Sequence, residues 1–138
     1  MTWFIWALLS AFFAGLTAIL AKIGVENVNS NLATAIRTVV ILIFAWSIVL
    51  FTKTQPLSTI GRRTWIFLLL SGFATGLSWL CYFRALQLGE ASQVAPVDKL
   101  SVVIAVILAA IFLHEHMTWH HYLGGTLIFT GAVVLAYA

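Results

Sequence analysis

Asp98 is a carboxylate standing inside an apolar run, with Lys99 beside it and Ser101 close behind. Arg37 interrupts a second such run and Arg84 closes a third. Ionisable groups are costly to hold in hydrocarbon, so inside an apolar segment they mark ion pairs, proton sites or anion-binding groups. Asp98 has a plainer role open to it, complementing a helix N-terminus, worth up to about 1 kcal/mol. Arg37 has two roles open as well: its long stem can snorkel to the nearest headgroup layer, or its head can pair inside a bundle. Ser71, Thr75, Ser78 and Tyr82 recur at spacings of four, three and four, which puts their hydroxyls on one side of a helix. Trp79 stands on the neighbouring stripe with Gly72, Gly76 and Phe83. The hydroxyl stripe suits either a helix contact or a wet cavity.

Other reactive side chains carry less. His114, His116, His120 and His121 crowd around Glu115. Their spacing matches neither a zinc finger nor a catalytic zinc site, so they read as interfacial histidines. Cys81 is the single cysteine and has no intrachain partner; a small buried hydrophobe is its ordinary role. No Ser/His/Asp arrangement, phosphate loop or paired intramembrane carboxylate is present. The chain is therefore not expected to be an enzyme, and no cofactor or metal is expected.

The elements that position these residues are apolar segments at 3–21, 32–52, 65–82, 96–113 and 122–137. Each is near the roughly 20 residues that cross a bilayer as a helix. The chain is 62% hydrophobic and 8% charged, with mean hydropathy +1.07, too little polar surface for a soluble globule. Its pI near 9.4 comes from basic residues at segment ends rather than one patch, so nucleic acid is not an expected partner. The first segment has no Lys or Arg before it and an apolar stretch longer than a signal-peptide core, so it reads as a mature span.

Five spans place the termini on opposite sides. Lys53, Arg62 and Arg63 then share the N-terminal side, while Lys22, Arg37, Arg84 and Lys99 face the other. So even a division gives the positive-inside rule little asymmetry to act on, and insertion in both orientations is expected. Trp3, Trp6, Trp65 and Trp119 fall on the N-terminal side as an interfacial belt, and Trp46 and Trp79 lie deeper. Gly72 and Gly76 form a GxxxG, Ser101, Ala105 and Ala109 a small-residue row, and Gly124 and Gly131 a further face. Each allows close helix approach, and the last suits a dimer seam. Pro96 is expected in a first helical turn, where its missing N–H costs nothing.

From Ala85 onward the chain resembles a single EamA repeat of the drug/metabolite transporter superfamily. The residues that carry the likeness are Ala85–Pro96 (ALQLGEASQVAP), Ile111–Glu115 (IFLHE) and Leu123–Gly131 (LGGTLIFTG). Arg37 and Glu115 also sit where such repeats commonly have an Arg early in the second helix and a Glu after the fourth. The likeness covers nearly the whole chain and is most similar to short bacterial and archaeal members with four or five spans. Two departures stand out. Val102 replaces a common Pro, and 3–21 has no acid where small multidrug resistance relatives use an embedded Glu for proton-coupled cation export.

The resemblance implies an all-α integral membrane protein, one EamA domain over 1–138, in the cytoplasmic (inner) membrane of a prokaryote. Longer members hold two repeats in one chain, the second inverted, with the site between them. A lone repeat is expected to complete that plan as an antiparallel ten-helix homodimer moving a small metabolite or drug-like solute by alternating access. Arg37, Ser78, Trp79, Tyr82, Arg84, Asp98, Lys99 and Ser101 are the expected substrate-binding residues. Three positive charges beside one negative favour an anionic or zwitterionic substrate. A half-transporter needing a different partner chain, or a lipid-linked flippase or non-transporting scaffold, are the alternatives.

Overall fold

A computed structural model describes residues 2–138, and among these the chain is helical with no strand. The helices are α1 (Thr2–Val25), α2 (Ser30–Phe51), α3 (Arg62–Leu88), α4 (Ala91–Asp98), α5 (Leu100–Phe112) and α6 (Trp119–Ala136), with a 3-10 turn at Leu57–Thr59. Backbone groups in hydrocarbon must be satisfied within their own segment, and helices do this. Polar side chains follow the same rule. Thr34, Thr38, Ser47, Thr75, Thr126 and Thr130 each donate a hydroxyl to the carbonyl one turn earlier, at 2.7–2.9 Å. The Thr75 hydroxyl, one of the stripe, is thus spent on Ser71 of its own helix rather than offered to a cavity.

Helix ends follow local chemistry. Asn29 caps α2, its Oδ1 accepting from the N–H groups of Asn31 at 2.9 Å and Leu32 at 3.3 Å. The α5 C-terminus closes with His114 at φ 54° and the Glu115 N–H on Ala109 O at 3.3 Å. That left-handed turn adds a second donor to Ala109 O, which already accepts from the Leu113 N–H at 3.0 Å, and places a Cβ where glycine is usual.

Helix bounds depart from those expected at several places; α1 runs on to Val25 rather than ending at residue 21, and α3 starts at Arg62 rather than residue 65. The third segment, expected to stop at Tyr82, continues to Leu88, because nothing breaks the helix before Gly89 and because Phe83 and Leu86 are buried, at 3% and 0% exposure. Hydrophobicity falls at Arg84, but helix does not. The fourth segment is two helices rather than one. Its first helix starts at Ala91, so Pro96 lies inside α4 and not in a first turn. A proline there gives up a hydrogen bond and crowds the preceding turn. The chain kinks at Lys99, whose N–H reaches Pro96 O at 3.1 Å and Ala95 O at 3.3 Å. The last helix begins at Trp119, earlier than expected, because Thr118 and His121 cap it.

Four stretches are long and apolar enough to cross a membrane: Thr2–Val25, Ser30–Phe51, Arg62–Leu88, and Ala91–Phe112 with α4 and α5 taken together. α6 has 18 residues but gives its first turn to Trp119, His120, His121 and Tyr122. The protein is an all-α, multi-pass membrane protein.

Two compact units divide the chain. One comprises the residues through Ile23 with Leu88–Ala138. Within it α6 packs against both α4 and α5, the Gln93 amide donates to Ala138 O at 3.0 Å, and Lys22 Nζ donates to Gly89 O at 2.8 Å. Ala132 is buried, and Gly124 and Gly125 are half-buried. The other unit is Gly24–Gln87, the α2–α3 hairpin with the turn that precedes it.

If Pro96 sets the kink, Pro96→Ala lets α4 and α5 run on as one helix. Spin labels at positions 92 and 108 of a Cys81-free chain should then move apart in pulsed dipolar spectra. An unchanged distance assigns the kink to Lys99 and its surroundings.

Candidate functional site

At one end of the α2–α3 unit a side chain of α3 bonds to the turn before α2. Gln87 near the end of α3 donates through Nε2 to Val28 O at 2.8 Å and to Val25 O at 3.4 Å, in the turn that leads into α2. Its Oε1 accepts from Arg84 Nη1 at 2.8 Å. Arg37 lies about 10 Å along α2 from Ser30, and Trp79 about 12 Å back along α3 from Gln87. The tie therefore brings the two residues level.

They meet. The Arg37 guanidinium lies over the Trp79 ring at 4.5 Å and over Phe83 at 5.4 Å. The Tyr82 ring stands edge-on to Phe83 at 6.5 Å. Arg37 and Trp79 are half-buried and Phe83 is buried. Of the two roles open to Arg37, the contacts fit pairing inside the protein: the head lies across on the rings of α3. A cation on an aromatic face gains from about 0.5 kcal/mol when exposed to about 2 kcal/mol when desolvated. Both α3 residues that hold it, Trp79 and Phe83, sit one turn apart on the stripe that also carries Gly72 and Gly76.

The remaining expected residues divide. Ser78 is on α3 but exposed, and Arg84 is engaged with Gln87 rather than with Arg37. Asp98, Lys99 and Ser101 belong to the other unit. There Lys99 Nζ contacts Asp98 Oδ2 at 3.4 Å across adjacent residues at the kink, and Ser101 is exposed. Phe83 and Gln87 were not among the expected site residues. Phe83 was visible in the stripe, but nothing local in the sequence marks Gln87, whose partners lie about sixty residues away.

Two of the four histidines have structural roles: His114 in the left-handed turn after α5, and His121 in the α6 cap. Among the described residues no group of three or more His, Cys, Asp or Glu is placed to hold a metal. The small-residue faces are open. A Cβ built at Gly72, Gly76, Gly124, Gly125 or Gly131 meets nothing within 4 Å.

Four apolar stretches long enough to span, with a guanidinium held among aromatic rings inside one apolar run, define a multi-pass membrane protein. The EamA-like transporter family matches residues 1–137, and the chain belongs to that family. It is 54% identical over 136 residues to an uncharacterized transporter in the cobO 3'region of a Sinorhizobium species, covering 98% of this chain and 96% of that protein. It is also 27% identical over 131 residues to the uncharacterized transporter YxxF of Bacillus subtilis strain 168, covering 92% of this chain but 40% of that protein. A third similarity, 40% over 63 residues, is to the uncharacterized transporter YvbV of the same strain, covering 46% of this chain and 21% of that protein. No solved structure matches.

The Arg37–Trp79 contact is testable as a coupling. Arg37→Ala and Trp79→Leu in a double-mutant cycle should show an interaction of about 1 kcal/mol by reversible unfolding in bicelles. Additive single effects contradict the contact.

Proposed function

We propose that this chain is a secondary transporter of the prokaryotic cytoplasmic membrane that moves a small anionic or zwitterionic solute by alternating access, as an antiparallel homodimer. The carrying observation is Arg37, a permanent positive charge kept inside a span by Trp79 and Phe83. A carboxylate or phosphate entering beside it gains a charge-assisted hydrogen bond while the rings hold the guanidinium in place. In this reading Trp79 and Tyr82 are aromatic walls, Ser78 and Ser101 supply hydrogen bonds, and Arg84, Asp98 and Lys99 form a charged vestibule. Asp98, the one carboxylate within an apolar segment, is the group assigned to proton coupling.

Several features support the dimer. The chain covers nearly all of the short Sinorhizobium relative but 40% of YxxF, leaving room in the longer protein for a second repeat. The open Gly72–Gly76 and Gly124–Gly131 faces suit helices from another copy. With α6 taken as a fifth span beside the four long apolar stretches, the charges would divide nearly evenly, which would permit both orientations in one membrane. Transporter names on the relatives and their bacterial sources support the activity and the membrane assigned here.

Reconstituted vesicles on a solid-supported membrane test the reading, with a panel of amino acids, organic anions and quaternary ammonium ions. The expected result is charge movement with carboxylate-bearing solutes. Arg37→Gln should cut it at least about ten-fold, and Asp98→Asn should remove its pH-driven part. A response confined to quaternary ammonium ions and indifferent to Arg37→Gln contradicts it.

A further inference from the structure

His121 closes α6 in a way that depends on its protonation state. The Thr118 backbone N–H donates to His121 Nδ1 at 3.1 Å, and the Thr118 hydroxyl lies 2.8 Å from the same nitrogen. To accept from a backbone N–H, Nδ1 must be bare, which requires the neutral ring with its proton on Nε2. Imidazolium carries a proton on both nitrogens and can accept nothing. It would also set a positive charge against the positive end of the α6 dipole. Both effects act in the same direction, against the first turn of α6.

That turn borders a cavity. Between α5 and α6 lies an opening of about 360 Å³ walled by Val103, Ile107, Met117, Tyr122 and Thr126, with His121 itself in the lining. The groups that could compete for the His121 proton are few. α5 carries no ionisable side chain. α4 packs on α6, but Gln93 reaches Ala138 at the opposite end, roughly 25 Å along α6 from His121. Its flanking charges Glu90, Asp98 and Lys99, and Lys22 bound at Gly89, belong with that element. His114, Glu115 and His116 in the preceding loop, with His120 and Tyr122 on α6, are the neighbours in sequence.

We propose that the Thr118–His121 cap is a proton-released clasp on the α5–α6 cavity: closed while His121 is neutral, and opened at the first turn of α6 when the ring is protonated. Histidine side chains ordinarily change charge between pH 5 and 8. The cap is complete while the ring is neutral and is lost when Nδ1 gains a proton. Release frees His121 and Tyr122 from the cavity wall and widens the opening beside Met117. This device is independent of the substrate assigned to Arg37.

Amide hydrogen exchange of the full chain in nanodiscs, corrected for intrinsic pH dependence, tests the clasp. Protection of residues 119–122 should fall about five-fold between pH 8 and pH 5, while that of α2 stays level. His121→Gln places an acceptor that does not titrate at the same position, and should hold the protection at both pH values. His121→Ala should show the low protection at both. Equal wild-type protection at pH 8 and pH 5 overturns the proposal. So does acid-induced loosening that persists in His121→Gln, because another group would then be the sensor.

Discussion

An arginine about 10 Å inside a membrane-spanning helix has to find its compensation in the protein, and here it finds it on aromatic faces. That contact exists only because α2 and α3 are in register. Gln87, which spans from the end of α3 to the carbonyls of Val28 and Val25, contributes to that register beside the buried Val25, Phe83 and Leu86. The same amide takes up the Arg84 guanidinium. Two arginines are thus managed differently by neighbouring turns of one helix. Arg84 is bound by a polar side chain where the span ends, while Arg37 is drawn inward onto Trp79 and Phe83. The Asn29 cap fixes where α2 begins and hence how deep Arg37 sits. Shifting that start by one residue would rotate Arg37 by about 100° around α2 and away from Trp79.

Little of the protomer is buried. Phe83, Leu86, Val25 and a few small residues form the described core, and most of the large apolar side chains of α1, α2 and α3 are exposed. In water this would be untenable; in lipid an exposed Leu or Phe costs nothing, because hydrocarbon replaces hydrocarbon. What lipid does not explain is the open glycine faces, which gain from contact with another backbone rather than with acyl chains. Family membership and the near-complete coverage of the short Sinorhizobium relative describe a chain with one repeat. In the proposed assembly a second copy would lie against these faces.

Apolar length made four spans visible in the sequence, and the superfamily likeness made the family visible, because both are carried by contiguous residues. Arg37 and Trp79 could be picked out one by one, as a charge and an indole inside apolar runs. Their pairing could not, since it depends on Gln87 meeting a turn far away in sequence. Helix ends were misplaced where hydrophobicity and helicity part company. α3 runs past Arg84 because Phe83 and Leu86 are buried beyond the apolar segment. α4 starts before Pro96 because Gly89 and Glu90, not the proline, interrupt the chain. The hydroxyl stripe was legible as a pattern, yet Thr75 turns back onto its own backbone, a choice that spacing alone does not reveal. His121 looked like one of a crowd of interfacial histidines, and only the cap geometry sets it apart.

The antiparallel assembly rests on both orientations existing in one membrane, so the side on which the C-terminus lies is the most direct measurement. Reporters active only in the cytoplasm or only outside it, fused after Ala138, read that side. Activity of both reporters, collapsing to one when three positive charges are added to one face, is the predicted result. Activity of a single reporter with the unaltered chain would contradict the inverted homodimer and require a parallel assembly or a different partner.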